Sequence, residues 1–231
     1  MHACPRRIAA SAACAPAVSQ PNQASFTLIE LLAVIAILAI LAGILIPTVG
    51  AARASADKTR TRLQFTRWTA AVEAFRQEYG YYPALGANGK LATTGDALGF
   101  VRTLSGCNPD GSAVAVAADL NGNYKRLHFC AFSDGDFIDP GRPGGIPDFS
   151  GDELLGDAFG NIEIGVLTDR NGDGIIKPAD DGPAAAVRGV TGGNDLTPAD
   201  SDLPSTGIRA GVLFYSAGRG QAPGDMVLSW K

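Results

Sequence analysis

Asp169, Asn171, Asp173, Ile175 and Asp180 carry the clearest coordination chemistry in this 231-residue sequence. In the segment Asp169-Arg-Asn-Gly-Asp-Gly-Ile-Ile-Lys-Pro-Ala-Asp180 they hold positions 1, 3, 5, 7 and 12 of a loop, with Gly174 at position 6. That is the spacing of an EF-hand loop, in which side-chain oxygens and one backbone carbonyl surround calcium and the glycine permits the sharp turn. Calcium is therefore the cofactor expected. Asp180 stands where a bidentate Glu is usual, and a strand rather than a helix precedes the loop, so the site should be isolated and modest in affinity. Asp134, Asp136 and Asp139 form a weaker acidic group that offers a place for a second ion. Residues 119–202 hold 16 acids and 6 bases, a self-repulsion that a divalent cation would relieve.

Other reactive chemistry is sparse. There are two histidines, His2 and His128, and the latter falls in an expected strand. The nearest approach to a nucleophile elbow, Phe214-Tyr-Ser-Ala-Gly218, lacks the first glycine. No phosphate-binding glycine loop and no CxxC pair is present, so an enzyme is not expected. With 23 acids against 19 bases and a pI near 5.1, the chain lacks the basic surface that phosphate neutralisation needs, and no nucleic-acid partner is expected.

Glu30 is set apart by its surroundings: it is the single ionisable side chain between Phe26 and Ala52. The 13 Leu, Ile and Val residues from Leu28 to Ile46 each favour insertion into lipid by about 0.3–0.6 kcal/mol, against at most about 3 kcal/mol for one off-centre carboxylate. As a helix the run can span a hydrocarbon core of about 30 Å. A carboxylate in such a span marks a functional site with a partner to be named. A cut just before Phe26 would supply that partner, the new α-amino group, on the same helix or on a neighbouring copy, so Glu30 is expected to set register between subunits. Two other readings compete. A secretory signal removed after Ala56 would leave an exported calcium-binding monomer, and a lipoprotein signal would centre on Cys14. The length of the apolar run and its internal acid weigh against the first. Only a few apolar residues separate Arg7 from Cys14, which weighs against the second.

With Ser25 before the cut, the run Phe26-Thr-Leu-Ile-Glu30-Leu-Leu, with Pro47 as its twenty-second residue, resembles the N-terminus of type IV pilins and type II secretion pseudopilins. The resemblance implies that a prepilin peptidase removes residues 1–25 and methylates Phe26, and that the mature chain polymerises through its N-terminal helices, with Glu30 and Pro47 serving assembly. Glu78-Tyr-Gly-Tyr-Tyr-Pro83, Asp157-Ala-Phe-Gly-Asn161, Tyr215-Ser-Ala-Gly218 and Ser229-Trp230 look like the major pseudopilin of type II secretion. What this implies is a structural subunit held in the inner membrane by one span, with its head in the periplasm, then assembled into a pseudopilus that drives protein export across the outer membrane. The secretion platform, its ATPase and the secretin would be partners. A type IV pilus major pilin, serving adhesion, motility or DNA uptake, is the alternative. Major pseudopilins also hold calcium in a head loop. In an oxidising compartment Cys107 and Cys130 could close a disulfide worth about 3 kcal/mol, with two lone buried thiols as the alternative, while Cys4 and Cys14 leave with the leader.

These residues need a scaffold. Phe65, Trp68, Val72, Phe75 and Tyr79 recur at spacings of three and four, one stripe of a helix, and Gly80 with Pro83 ends it. A helix from Phe26 to Tyr79 would be about 80 Å long at about 1.5 Å per residue, so its first half should protrude and its second half dock on a head. Pro47, between Gly43 and Gly50, should bend the helix or melt a turn. Past Gly80 the sequence is turn-rich, and short runs at Arg126–Phe132, Asn161–Thr168, Val212–Ser216 and Met226–Trp230 predict strands. The expected class is α+β, a long N-terminal helix packed on an antiparallel β-sheet head. Four regions follow: a leader (1–25), a transmembrane and polymerisation helix (26–52), its amphipathic continuation (53–80) and a β-rich head (81–231). The five bases against one acid in residues 53–67 would suit contact between the stem of one subunit and the acidic heads of others.

Overall fold

The computed structural model describes residues 27–140, 147–149, 151–190, 193–220 and 222–231. Its first element, α1 (Leu28–Tyr79), is a single 52-residue helix. Gly80 ends it with φ +81°, a left-handed conformation that a side chain would strain, and donates its N–H to the Arg76 carbonyl at 2.7 Å. Residues 43–50 are helical throughout, so the turn expected to melt at Pro47 is intact. Proline deletes one backbone bond there, and the helix continues through it on both sides.

The chain separates into two compact units, the first ending at Pro47 and the second running Thr48–Lys231. In the first, the described residues from Leu28 on are helix, and the Leu, Ile and Val side chains from Leu28 to Ile46 are all exposed, from 49% at Val34 to 81% at Leu28. The helix is long and apolar enough to cross a membrane, with a window of mean hydropathy 3.0.

The second unit is an α+β fold. After α1 come β1 (Lys90–Leu91), α2 (Thr94–Ser105), β2 (Phe137–Ile138), β3 (Leu154–Leu155), β4 (Ile164–Thr168), α3 (Pro178–Asp181), β5 (Val212–Ser216) and β6 (Val227–Leu228). Strands β1, β4, β5 and β6 form one antiparallel sheet in that order, and β2 pairs with β3. The aromatic stripe lies against this sheet: Phe65, Trp68, Val72 and Phe75 are fully buried, and Trp68 meets Phe100 of α2 and Phe214 of β5 edge-on at 5.0 and 5.7 Å. The stripe begins a turn earlier than its apolar residues, because the buried Thr61 hydroxyl accepts the Ala158 N–H at 3.1 Å.

Alternation along the strands divides the core in two. Ile164, Val166, Val212, Phe214 and Val227 join the α1 and α2 side, whereas Leu167, Leu213, Tyr215 and Leu228 face the other way. That second face is covered by residues 169–211, which contribute Ile176, Val187, Leu196 and Leu203. Bridges Ile176–Ile208 and Val187–Leu196 hold the cover in place.

Two expectations are corrected. Residues 126–132 are not a strand: Arg126 is left-handed (φ +53°), and the N–H groups of Phe129 and Cys130 both donate to the Leu104 carbonyl at the end of α2. The backbone donors go to a helix end, leaving no ladder to form. Helix α2 itself was not anticipated. Thr93 and Asp96 cap it reciprocally, and it buries Ala97, Phe100, Val101 and Leu104. The expected strands in 161–168 and 226–230 are shorter than their apolar runs, and Val212–Ser216 forms β5 as expected.

Gly165 sits opposite Tyr215 in the sheet register, and a Cβ there would lie inside the Tyr215 ring. Gly165→Ala is expected to lower stability by about 1–3 kcal/mol or more through overpacking, measured by thermal melting, whereas Gly43→Ala, where a Cβ meets nothing, should leave the head's transition unmoved.

Candidate functional site

The first candidate is the start of α1. Thr27 is its N-cap: the Glu30 N–H donates to Thr27 Oγ1 at 3.3 Å, and both the Thr27 N–H and hydroxyl donate to Glu30 Oε2 at 2.8 Å. This is a reciprocal capping box, a Thr-x-x-Glu pattern in which cap and third helical residue satisfy each other's donors. Glu30 therefore has a local partner as well as the intersubunit amine expected of it. The signal Thr27-Leu-Ile-Glu30 was present in the sequence and was read there only as a charge. Ser25 and Phe26 lie outside the described residues. Pro47 lies within the helix.

The second candidate is the acidic loop after β4. Asp169 is buried, and its two oxygens accept the N–H groups of Gly172 (2.7 Å) and Gly174 (2.8 Å). Asn171 Oδ1 accepts from the Asp173 N–H, and Asp173 Oδ1 from the Ile175 N–H. Such successive turns capped by side-chain oxygens wind the chain around a centre. Gly172 and Gly174, both at φ +78°, supply the left-handed turns. Lys177 places its ammonium 3.0 Å from Asp173 Oδ2 and 3.5 Å from Asp180 Oδ2, and holds the Asp173 carboxyl below its ordinary range. Asp180 is exposed. Its neighbour Asp181 is the buried acid, accepting the N–H groups of Arg170 and Lys177 at 2.7 and 2.8 Å and so tying the loop's two ends together. Sequence spacing singled out Asp180 and missed Asp181.

Of the weaker acidic group, Asp136 is already engaged. Asp136 is buried and accepts from Arg67 and Gln64 of α1 through one oxygen and from Ser133 through the other. Cys107 and Cys130, expected to pair, are free thiols. Cys107 donates to the Ser105 hydroxyl and Cys130 to the Ala131 carbonyl. Burial pushes the Cys130 thiol up to about 11, which disfavours the thiolate that disulfide exchange requires. His128 Nδ1 lies 3.2 Å from the Ser105 carbonyl oxygen, a bond that ties it to the end of α2.

Residues 20–46 match the family model for the prokaryotic N-terminal methylation motif. This is a type IV pilin-like signal, and it spans the Thr27–Glu30 cap and the exposed apolar helix. The motif implies processing by a prepilin peptidase and polymerisation. With the apolar helix it fits anchoring in the inner membrane. Neither the curated proteins nor the solved structures give a match to this chain.

Within the head, Asp157 joins two of the segments singled out in the sequence. Its Oδ1 accepts the N–H groups of Phe159 and Asn161, and its Oδ2 accepts Asn161 Nδ2 (2.8 Å) and the Ser216 hydroxyl (2.6 Å). Asn161 Nδ2 also donates to the Gly218 carbonyl at 2.7 Å. Desolvation raises the Asp157 carboxyl above the ordinary Asp value of 3.8 despite these bonds. The folded state therefore holds this proton more tightly than the unfolded one. The stability Asp157 contributes is full below pH 3.8 and declines as pH rises through the folded value. Carboxyl 13C titration should return an Asp157 value above 3.8, and a value at or below it would overturn this assignment.

Proposed function

We propose that the chain is a structural subunit that is clipped between Ser25 and Phe26, methylated at Phe26 and polymerised into a type II secretion pseudopilus. The observation that carries the reading is the methylation motif lying on a helix whose thirteen aliphatic side chains from Leu28 to Ile46 stand exposed. Such a surface needs lipid before assembly and copies of itself afterwards. The pseudopilus rather than a surface pilus is favoured by the resemblance of three head segments to the major pseudopilin. Two of them, Asp157–Asn161 and Tyr215–Gly218, interlock through the Asp157 and Asn161 side chains. The prepilin peptidase, the secretion platform with its ATPase, and the secretin are the partners, and the head works in the periplasm.

Sequencing the mature N-terminus tests the processing step: Phe26 supports the reading, and Asp57 ends it. Glu30→Ala and Glu30→Gln should both leave membrane insertion intact and abolish filaments. Because Gln keeps the capping acceptor and loses the charge, normal filament yield from Glu30→Gln would refute the register role. Deleting the chain should block export of a folded exoprotein, while loss of surface filaments with export intact would assign it to a type IV pilus.

We further propose that Asp169, Asn171, Asp173, the Ile175 carbonyl and Asp180 hold calcium. The wound loop supports this, and so does the Lys177 ammonium, a cation already drawn between two of the acids. Calcium should raise the melting temperature of the full chain in detergent, Asp169→Ala/Asp173→Ala should cancel the shift, and Lys177→Ala should enlarge it by removing a competitor. Equal shifts in all three proteins would refute the site.

A further inference from the structure

Asp148, Asp152 and Glu153 bring carboxylate oxygens within 4.8 Å of one another. Nothing in their spacing resembles a metal motif, and they lie away in sequence from the loop that begins at Asp169. Glu153 sits immediately before β3 and is only 4% exposed, while Asp148 and Asp152 are at the surface. One Glu153 oxygen, Oε2, accepts the Gly151 N–H at 3.0 Å. The other, Oε1, is buried and has no hydrogen-bond partner.

That orphaned oxygen is an observation separate from the clustering. A buried carboxylate oxygen left without a donor is destabilising, and two further acids in the same cluster add like-charge repulsion. The β2–β3 register pairs Ile138 with Leu154, and Asp139, the next residue along, is also buried. A side-chain donor would have served Oε1, but the cluster supplies acids. A divalent cation answers both costs at once. Calcium–oxygen distances of about 2.3–2.6 Å allow two ligands of one ion to stand about 4.6–5.2 Å apart, so oxygens within 4.8 Å of one another can share a calcium ion with little movement.

We propose that Asp148, Asp152 and Glu153 form a calcium site with Glu153 Oε1 as its buried ligand, independent of the 169–180 loop and of the filament reading. The exposed pair keeps the ion in contact with solvent, and the buried Glu links it to the start of β3. Binding there ties Asp148 and Asp152 to the start of β3, whose partner β2 follows directly on Asp136, held by Arg67 of α1.

Calorimetric titration of the full chain in detergent with calcium chloride alone tests this. Asp148→Asn/Asp152→Asn, at exposed positions and checked for folding by thermal melting, should lose one bound calcium or weaken it roughly tenfold or more. Glu153→Gln should lose the same ion, and the ion these variants retain should be the one lost in Asp169→Ala/Asp173→Ala. Wild-type protein that binds no calcium overturns the proposal, as does unchanged stoichiometry and affinity in Asp148→Asn/Asp152→Asn with thermal melting showing it folded. Loss of calcium from Asp169→Ala/Asp173→Ala alone would count against this site and leave the other standing.

Discussion

An aliphatic helix surface that stands exposed from Leu28 to Ile46 is the constraint on which the rest of this molecule depends. Water cannot be its resting medium: at about 25 cal/mol per Å² of apolar area, a helix of this kind gains tens of kcal/mol by being covered. Lipid would cover it in a monomer, and like helices would cover it in the proposed polymer. The methylation motif falls on this stretch. In soluble surroundings the only polar relief among its described residues is Glu30 with its Thr27 cap.

The head solves a different problem, that of a small sheet with two apolar faces. One face is closed by the aromatic stripe of α1 together with α2, and the other by the irregular segment between β4 and β5. That cover carries the acidic loop. Its start is fixed where the Asp169 N–H donates to the Gly211 carbonyl, next to β5, and its far end where Ile176 and Ile208 exchange backbone bonds. The loop geometry is thus set by core packing on either side. Buried Asp181, with both oxygens bonded to backbone N–H groups, completes the clamp from inside.

How much of this could be read beforehand follows from range. The stripe Phe65–Tyr79 and strand β5 were legible because a period of 3.6 or 2 repeats within a few residues and burial enforces it. Helix α2 was hidden by Gly95 and Gly99, which lower its propensity, although its Thr93/Asp96 cap is written in the sequence. Residues 126–132 have a strand's composition but no edge to pair with, and pairing is a property of the whole fold. The second core face was illegible because Ile176, Val187, Leu196 and Leu203 are scattered through turn-rich sequence. In the acidic loop the ligand spacing was plain, but which of Asp180 and Asp181 turns inward depends on the single turn of α3. The Asp148, Asp152 and Glu153 cluster reads as an ordinary solvated turn until β2 and β3 pair and bury Glu153.

The Thr27 cap changes what it means to place an acid beside hydrocarbon. A carboxylate stripped of water loses the hydrogen bonds that made it soluble, and the cost depends on how many it regains. Two donors from Thr27 travel with Glu30 on the same turn of the same chain. The side chain thus carries a portable remnant of its hydration shell, one that needs no neighbour and survives while the subunit is alone. In the proposed polymer an arriving subunit would exchange nothing wet for something dry, and could offer the charge to its neighbour without first having to shed solvent.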